Sequence, residues 1–428
     1  MKLYPHQAEA LKETADQNRV AYYHDMGLGK TYTGSEKMMS LGGHVNLVIC
    51  QKSKIDDWGG HLCEHYGPIV FDLTDKRGLE SYIKEYEKLK SFGDIFMWRI
   101  VGVINYDLIF RRPELMKLHF DTVMLDESSI IQNRTSKRSK AILNLKTENV
   151  ILLSGTPTGG KYERLWSQLH LLGWTISEEL FFKQYVIFHY DDANGFPLRI
   201  IDGYKNVDRL KAKLREHGAH FLKTDEVFDL PDQIHQTVSV ESTSHYRKFK
   251  KTRIVTVEGV ELVGDTTLTK MLYERQLCGS YNANKLNAFR DLLESTEDRL
   301  IVFYNFNNEL NKIVELISEM GRKISIVNGE GKNLRAYEEH EDSVTLIQYQ
   351  AGSMGLNLQK ANKIVYFTPP LSSELFEQSK KRTHRIGQDR TCFYYYLTCR
   401  GSVEEKIYRT LEMRRDYTDA LFEEEEEK

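Results

Sequence analysis

The sequence contains few cysteines and no long apolar run. Only five of its 428 residues are cysteines, an odd number scattered along the chain. That spacing suggests neither a disulfide framework nor a metal cluster, and it is typical of a reducing cytoplasm. No apolar run reaches membrane-spanning length, and no apolar segment follows Lys2 as a secretory signal requires. These absences predict a cytoplasmic protein with no membrane partner.

The chain also lacks a strong net charge. Lysine and arginine together number 59, against 62 aspartates and glutamates, which gives a formal net charge of −3. Five glutamates are concentrated in an acidic tail, residues 423–428, so the rest of the chain is close to neutral. A neutral chain can still present a basic surface, because steering depends on how charge is distributed. Basic runs occur at residues 134–140 and 380–390, although most such runs are solvated helix faces.

Short apolar runs alternate with helical patterns in both halves of the sequence. They lie at residues 45–50, 100–104, 122–125, 150–153, 300–304, 324–327, 344–347 and 363–367. Fully apolar runs separated by helical patterns predict parallel strands covered on both faces of a sheet. The span 160–285 is less regular and mostly helical in pattern. We therefore predict an α/β protein with two parallel-sheet lobes.

The most informative stretch is residues 24–31, with the sequence HDMGLGKT. Its glycines allow backbone N–H groups to turn inward around phosphate oxygens. Lys30 is a cation for the β- and γ-phosphates, and the Thr31 hydroxyl suits a Mg²⁺ site. His24 replaces the usual first glycine, so a chance glycine-rich turn is the alternative when this stretch is taken alone.

Two acidic residues, Asp126 and Glu127, directly follow the apolar run at residues 122–125. Ligands of an open α/β sheet bind at the carboxyl ends of its strands. Phosphoryl transfer needs one carboxylate to hold Mg²⁺ and an acceptor to orient the attacking water. Asp126 fits the first role and Glu127 the second. The turn at residues 154–157, sequence SGTP, follows the next apolar run and by itself is typical of a simple turn.

A further signature lies at residues 378–388, with the sequence QSKKRTHRIGQ. The spacing of Arg382 and Arg385 predicts that they share one helix face. A guanidinium offered to a γ-phosphate from a second lobe stabilises transition-state charge, as an arginine finger does. Gln378 and Gln388 are further polar groups in this segment. Together with the two earlier signatures, this one indicates a split ATP site.

In their order along the chain, these segments resemble the Swi/Snf-type branch of the superfamily-two helicase-related ATPases, in a minimal prokaryotic or phage-type form. The resemblance covers nearly the whole chain. Further matching segments are residues 3–7, 47–58, 105–106, 165–172, 302–306, 351–358 and 401–407. Ser129 departs from the family, which usually has a histidine or another bulky polar residue there.

The resemblance implies a domain organisation of two tandem RecA-like parallel-sheet lobes with helical insertions between them. The first lobe is expected at residues 1–230, with a helical insertion at about 160–225. A linker and helical segment would follow at 231–284. The second lobe would occupy residues 285–422, ahead of the acidic tail at 423–428.

The resemblance also assigns roles to individual residues. The catalytic set is Lys30, Asp126, Glu127, Arg382 and Arg385. The ATP-binding set is Gln7, Met26, Gly27, Leu28, Gly29, Lys30, Thr31, Gly355 and Gln378, with Thr31 and Asp126 as the Mg²⁺ ligands. The expected DNA contacts are Lys52, Ser53, Asn105, Tyr106 and Ser353. For the aromatic residues Trp58, Tyr106 and Trp166, packing is favoured over base stacking.

The function implied is that of a monomeric, ATP- and Mg²⁺-dependent translocase on double-stranded DNA. It would grip the phosphate backbone without reading sequence, in a prokaryotic host cell or a phage-infected cell. Replication, recombination, repair and displacement of bound proteins are the processes it could serve. One alternative is a helicase that separates strands of DNA or RNA. Another is an ATP-gated scaffold that recruits a nuclease or replication partner.

Overall fold

A computed structural model describes residues 2–92, 98–191, 198–351 and 356–422 of the chain, which forms two units. The first unit comprises residues 1–227 together with 416–428, and the second comprises residues 228–415. Each unit is built on a seven-stranded sheet of mostly parallel strands with helices around it. The predicted α/β class with two parallel-sheet lobes is thereby confirmed.

The sheet of the first unit has the strand order β3-β4-β2-β5-β6-β1-β9, and its pairings are all parallel. Its central strands are buried, as the apolar runs predict. The strands of this unit are β1 (Arg19–His24), β2 (Val45–Cys50), β3 (Ile69–Asp72), β4 (Ile100–Asn105), β5 (His119–Asp126), β6 (Lys146–Leu153), β7 (Val186–Asp191), β8 (Leu198–Tyr204) and β9 (Ala219–Leu222). Its helices are α1 (Pro5–Glu13), α2 (Lys30–Ser40), α3 (Ile55–Tyr66), α4 (Lys76–Phe92), α5 (Lys137–Leu143), α6 (Trp166–Leu171), α7 (Glu178–Tyr185) and α8 (Val207–Glu216).

The sheet of the second unit has the order β10-β18-β17-β13-β16-β14-β15. Its pairings are parallel except for the short β14–β15 hairpin. The strands are β10 (Gln233–Val240), β11 (Ile254–Val257), β12 (Val260–Val263), β13 (Leu300–Tyr304), β14 (Ile324–Asn328), β15 (Gly331–Asn333), β16 (Val344–Gln348), β17 (Lys363–Tyr366) and β18 (Cys392–Cys399). The helices are α9 (Ser244–Thr252), α10 (Thr267–Cys278), α11 (Ala283–Glu294), α12 (Asn307–Glu319), α13 (Arg335–Glu339), α14 (Ser373–Lys380) and α15, which begins here (Val403–Phe422).

The structure differs from the expected boundaries in the middle of the chain. The span expected as a helical insertion, about 160–225, contains the β7–β8 hairpin and β9, which pairs with β1. The expected linker, 231–284, contains β10, which pairs with β18 along eight residues. These strands lack apolar runs, since β9 is only four residues long and β10 is a mostly exposed edge strand. The chain divides between Val227 and Phe228.

Two expectations drawn from absences can be compared with the described residues. All five cysteines are free, and four of them are buried. Within the described part of the chain, every helix is too short or too polar to cross a lipid bilayer.

A buried ion pair joins two elements of the second unit. The Lys285 Nζ atom lies 2.7 Å from both carboxylate oxygens of Glu404, and both side chains are fully buried. Lys285 also donates to the Phe367 carbonyl at 3.0 Å, and Glu404 accepts from the Cys399 backbone N–H. The Glu404 carboxylate also lies within 4.8 Å of the Cys278 and Cys399 sulfurs. Because Lys285 already neutralises that carboxylate, we interpret the cluster as an ion pair that joins α11 to α15.

We predict that Glu404→Gln lowers the free energy of unfolding of the second unit by about 3–5 kcal/mol, since it leaves the Lys285 ammonium buried without a counter-charge. The measurement is the rate of hydrogen–deuterium exchange at the backbone amides of β13 and β17 as a function of urea concentration. Glu405→Gln in the same helical turn is the matched control and should change stability by less than about 0.5 kcal/mol. Equal stability of the two variants would contradict this account.

Candidate functional site

Five loops of the first unit leave its sheet at one edge. Strands β1, β6, β5, β2 and β4 are successive neighbours in the sheet, and each pairs in parallel with the next. Their carboxyl ends therefore lie along the same edge, which is where open α/β sheets bind ligands. The segments that follow these ends include the glycine-rich loop, the acid pair and the SGTP turn. The fold thus gathers motifs that lie far apart in the sequence.

The glycine-rich loop has the backbone shape that its sequence predicts. Gly27 and Gly29 have φ angles of 91° and 71°, in the left-handed region that favours glycine. Gly29 is the N-cap of α2, so the helix begins at Lys30 and directs its positive end toward the loop. A Cβ atom at Gly29 would lie 2.3 Å from the Gln7 side-chain nitrogen. The backbone at this position therefore requires glycine for two independent reasons.

Helix α1 holds the loop from one side. The Gln7 amide donates to the carbonyls of Leu28 at 3.3 Å and Gly29 at 3.2 Å, and its oxygen accepts from the Tyr4 N–H. The His6 ring nitrogen lies 3.0 Å from the same Leu28 carbonyl. Gln7 is only 2% exposed. Gln7, which the resemblance assigns to the ATP-binding set, therefore fixes the position of the phosphate loop.

The ammonium group of Lys30 lies over the loop. It donates to the backbone carbonyls of His24 at 2.8 Å and Asp25 at 3.1 Å. A Cβ atom built at Gly155 would lie 3.4 Å from the Lys30 Nζ atom, so the SGTP turn passes directly beside the lysine. The Asp25 side chain accepts from the Thr224 backbone and hydroxyl, which ties the loop to the end of β9. Lys30 and the SGTP turn therefore belong to the same site.

His24 is explained by its position in the sheet. It is the last residue of β1 and is fully buried, with its Nε2 atom 2.9 Å from Nδ1 of His220 on β9. Burial lowers the pKa of His24 well below its usual range. Only its backbone carbonyl faces Lys30. A side chain at this position therefore leaves the phosphate loop intact, and glycine is not needed here.

Asp126 is the last residue of β5 and is held by a tryptophan. The Trp58 indole N–H donates to Asp126 Oδ2 at 2.9 Å, and Trp58 itself is 2% exposed. Burial raises the pKa of Asp126, while the Trp58 hydrogen bond and the charge of Lys30 act in the opposite direction. Trp58 therefore packs, as expected, but it also orients the carboxylate. The sequence places Trp58 in the segment 47–58 that resembles the family, but it does not reveal this contact.

Glu127 follows with a backbone conformation that is rare for a residue with a side chain. Its φ and ψ angles are 56° and 58°, in the left-handed region. The Tyr106 hydroxyl donates to the Asp126 carbonyl at 2.8 Å and lies 3.4 Å from that of Glu127. Tyr106 thus supports the chain at the point where it turns. Such conformations are concentrated at functional sites, because the surrounding structure must hold them in place.

A buried glutamine, Gln168, connects three of these segments. Its oxygen accepts from the hydroxyls of Ser128 at 2.8 Å and Tyr23 at 3.1 Å, and its nitrogen donates to the Pro157 carbonyl at 2.7 Å. The side chain is fully buried on α6. One amide therefore links β1, the residue after the acid pair and the SGTP turn. Residues 165–172 resemble a family segment, but the sequence assigns Gln168 no role, because its contacts join segments that are distant in the chain.

These residues fit ATP and Mg²⁺. Positive-φ glycines at a helix N-terminus and a lysine beside them are the groups that phosphate binding requires. A half-buried carboxylate at the carboxyl end of β5, with the Thr31 hydroxyl at the start of α2, supplies oxygen ligands of the kind Mg²⁺ prefers. Thr31 and Asp126 would hold the metal.

The expected DNA contacts of the first unit fall into two groups. Lys52 and Ser53 lie in an exposed 3-10 turn, Lys52–Lys54, at the carboxyl end of β2. Asn105 and Tyr106 are only 5% and 2% exposed. The burial of Tyr106 favours packing over a DNA contact. Trp166 likewise packs, since its indole donates to the Ile176 carbonyl.

In the second unit, the arginines lie outside the helix that the sequence predicts for them. Helix α14 ends at Lys380, and residues 381–387 form turns. The prediction that Arg382 and Arg385 share a helix face is therefore wrong. The Gln388 amide donates to the carbonyls of Thr383 and Ala361, and Gly387 has a φ angle of 91°. These two features stabilise a turn where the predicted helix would continue.

Both arginines contact the segment that begins at residue 356. Arg382 is 5% exposed and donates to the Leu356 carbonyl at 3.5 Å, and Arg385 donates to the Asn357 side chain. Burial lowers the pKa of the Arg385 guanidinium. Gln378 is 4% exposed and donates to Glu374 at 3.4 Å. The expected ligands Ser353 and Gly355 lie outside the described residues.

Comparisons with known proteins identify two family domains along the chain. Residues 15–283 match the SNF2-related domain, and residues 284–387 match the helicase conserved C-terminal domain. YwqA of Bacillus subtilis, provisionally named an ATP-dependent helicase/translocase, is 23% identical over 454 residues, covering 94% of this chain and 46% of that protein. The DNA repair and recombination protein RAD26 of Saccharomyces cerevisiae is 25% identical over 436 residues, covering 91% and 38%.

Among solved structures, the Sulfolobus solfataricus SWI2/SNF2 ATPase core in complex with dsDNA is similar, with a TM-score of 0.43 and 19% identity, covering 98% of this chain and 92% of that chain. The chain spans less than half the length of the two curated relatives. The family assignment agrees with the predicted class, an ATPase of helicase superfamily two. Since the SNF2-related domain alone matches more than half of its residues, the chain belongs to the SNF2-related family and continues into a helicase C-terminal domain.

Proposed function

We propose that this protein is an ATP-dependent translocase on double-stranded DNA. The observation that carries the proposal is the meeting, at one sheet edge of an SNF2-related domain, of the phosphate loop, Lys30 and the acid pair Asp126 and Glu127. Replication, recombination, repair and displacement of bound proteins are the processes we propose it serves. The names of the relatives, a helicase/translocase and a DNA repair protein, support a role on DNA.

In this proposal, Lys30 releases the two loop carbonyls that it now contacts and binds the β- and γ-phosphates. Thr31 and Asp126 would hold Mg²⁺, and the charge of the metal would stabilise the transition state. Glu127 accepts a proton from the attacking water or orients it. Its left-handed backbone, supported by Tyr106, fixes the direction of its side chain. Trp58 orients the Asp126 carboxylate.

We propose that Arg382 and Arg385 supply positive charge to the γ-phosphate during turnover. Their contacts with Leu356 and Asn357 suggest how ATP turnover reaches the nucleic acid. Residues 351–358 resemble a family segment for which we expect DNA contact at Ser353. A movement of either arginine would therefore displace the residues of that segment that it contacts. Lys52 and Ser53, both exposed, are the proposed backbone contacts of the first unit.

One structural feature suits the alternative of a strand-separating helicase. The hairpin of β7 and β8 carries the exposed side chains Ile187 and Tyr190, which are 45% and 57% exposed. Arg199 lies 4.6 Å from the centre of the Phe182 ring and 4.9 Å from that of Phe188. An aromatic hairpin of this kind could stack against an unpaired base. Within the part of the chain that the structure describes, no comparable feature favours the scaffold alternative, which predicts an ATPase that does not respond to nucleic acid.

The proposal is tested by measuring ATP hydrolysis with duplex DNA, single-stranded DNA and RNA. We expect the largest stimulation with duplex DNA, and stimulation that falls steeply with salt because the contacts are to phosphates. Stimulation by RNA alone would refute the proposal. Absence of stimulation by any of the three polymers would favour the scaffold alternative.

Glu127→Gln should retain ATP binding and lose turnover by about 100-fold or more, since it removes the acceptor that activates water while keeping the side-chain shape. Binding of a fluorescent ATP analogue and the turnover rate measure the two effects separately. Glu148→Gln, an exposed position on β6, is the control and should behave as wild type. Normal turnover in Glu127→Gln would show that another group activates the water.

Trp58→Phe should raise the Mg²⁺ concentration that half-saturates ATP turnover by about ten-fold, because a metal-binding carboxylate loses the group that orients it. A Mg²⁺ titration of the turnover rate is the measurement. Trp166→Phe is the matched control, since its indole donates to the Ile176 carbonyl instead. If both variants keep the wild-type Mg²⁺ dependence, the proposed role of Trp58 is wrong.

A further inference from the structure

Among the described residues, helix α9 of the second unit carries the densest run of positive charge outside the site described above. Residues 242–257 contain five lysines and arginines and neither aspartate nor glutamate, whereas the whole chain has 59 basic and 62 acidic residues. We propose that this helix and Arg253 form a second contact for the phosphate backbone of duplex DNA. The inference rests on the proposed function but involves none of the motif residues assigned so far.

The helix presents its charges on one side. Tyr246 and Phe249 are 3% and 0% exposed and pack into a small core with β11, β12 and α10. The other side is exposed and holds the cations Arg247, Lys248, Lys250 and Lys251, with Arg253 just beyond the helix end. The aromatic residues thus anchor the helix, and the cations face solvent as a single group. We call these five residues the α9 basic face.

Within the described residues, no member of the α9 basic face forms a salt bridge. The nearest acids in the sequence are engaged elsewhere, since Glu241 pairs with Arg400 at 2.6 Å and Glu258 pairs with Lys312 at 2.5 Å. By contrast, the basic run at residues 134–140 is partly neutralised, because Arg134 pairs with Glu178 and Arg138 with Asp107. The α9 basic face therefore keeps its charge available to a polyanion.

Local structural roles account for only part of this cluster. Cations in the last turn of a helix interact favourably with its dipole, which explains Lys250 and Lys251. Arg247 donates to the Ser242 carbonyl, and Lys250 donates to the Gly401 carbonyl at 3.2 Å. These neutral acceptors position the two side chains without cancelling their charge. Neither role explains why Lys248 and Arg253 are also basic.

Duplex DNA is the occupant that fits these charges. Four cations lie on about 6 Å of helix axis, at 1.5 Å per residue. Duplex DNA carries one negative charge per roughly 1.7 Å of its axis, so several phosphates come within reach together. Lysine and arginine bind phosphates without reading bases, as a protein that moves along DNA requires. The basic helix would thus give the second unit a phosphate contact of its own, in addition to the contacts proposed for Lys52 and Ser53 on the first unit.

The test compares two triple variants of the full chain. Lys248→Gln, Lys250→Gln and Lys251→Gln together remove charge from the α9 basic face and keep helix propensity. Lys76→Gln, Lys84→Gln and Lys90→Gln remove the same charge from exposed positions on α4, a helix in which three glutamates accompany the four lysines. Binding of a mixed-sequence 30-base-pair duplex is measured by fluorescence anisotropy over a range of salt concentrations, together with ATP turnover without DNA.

We expect the α9 triple variant to weaken duplex binding at least ten-fold at low salt. The slope of log affinity against log salt should become shallower by up to about 2.7, at 0.9 per lost phosphate contact. The α4 variant should bind like wild type, and both should keep wild-type turnover without DNA. Equal affinities and slopes in the two variants would overturn this inference. It would also be overturned if the α9 triple variant bound a polyglutamate peptide more weakly than wild type but bound duplex DNA normally. If the wild-type protein neither binds duplex DNA nor responds to it, the proposed function itself fails.

Discussion

Parallel pairing of β1, β6 and β5 is the constraint on which the nucleotide site depends. Each of these strands ends at the same sheet edge, so whatever follows them in the sequence must meet there. The glycine-rich loop follows β1, the acid pair ends β5 and the SGTP turn follows β6. Lys30 and Asp126 are 96 positions apart in the sequence, and this topology alone makes them neighbours. A slip of any one pairing would separate the lysine from its carboxylate.

The polar groups at this edge are buried, and they are held by other buried side chains. A buried carboxylate or amide is costly unless its hydrogen bonds are satisfied. Asp126 accepts a hydrogen bond from Trp58, and Gln168 bonds to Ser128, Tyr23 and Pro157. These hydrogen bonds restrict the side chains to few arrangements, so they help to fix the geometry of the groups that would act on phosphate. We interpret Trp58, Tyr106 and Gln168 as positioning residues for the acid pair.

The sequence predicts what depends on apolar runs and on motif order, and it fails where neither is present. The eight apolar runs became strands, because burial on both faces demands apolar side chains. Strand β10 was missed because its edge position permits polar residues. Arg382 and Arg385 were placed on a helix because spacing alone cannot show that Gln388 stabilises a turn. Trp58 and Gln168 could not be assigned, since their roles arise from contacts between distant segments.

Displacement of a triplex-forming strand from duplex DNA tests the central claim most directly. The account predicts that wild-type protein with ATP releases the third strand while the duplex stays paired, and that Glu127→Gln with ATP does not. Release of the third strand by the Glu127→Gln protein at the wild-type rate would contradict the account. So would failure of the wild-type protein to displace it under conditions in which duplex DNA stimulates ATP hydrolysis.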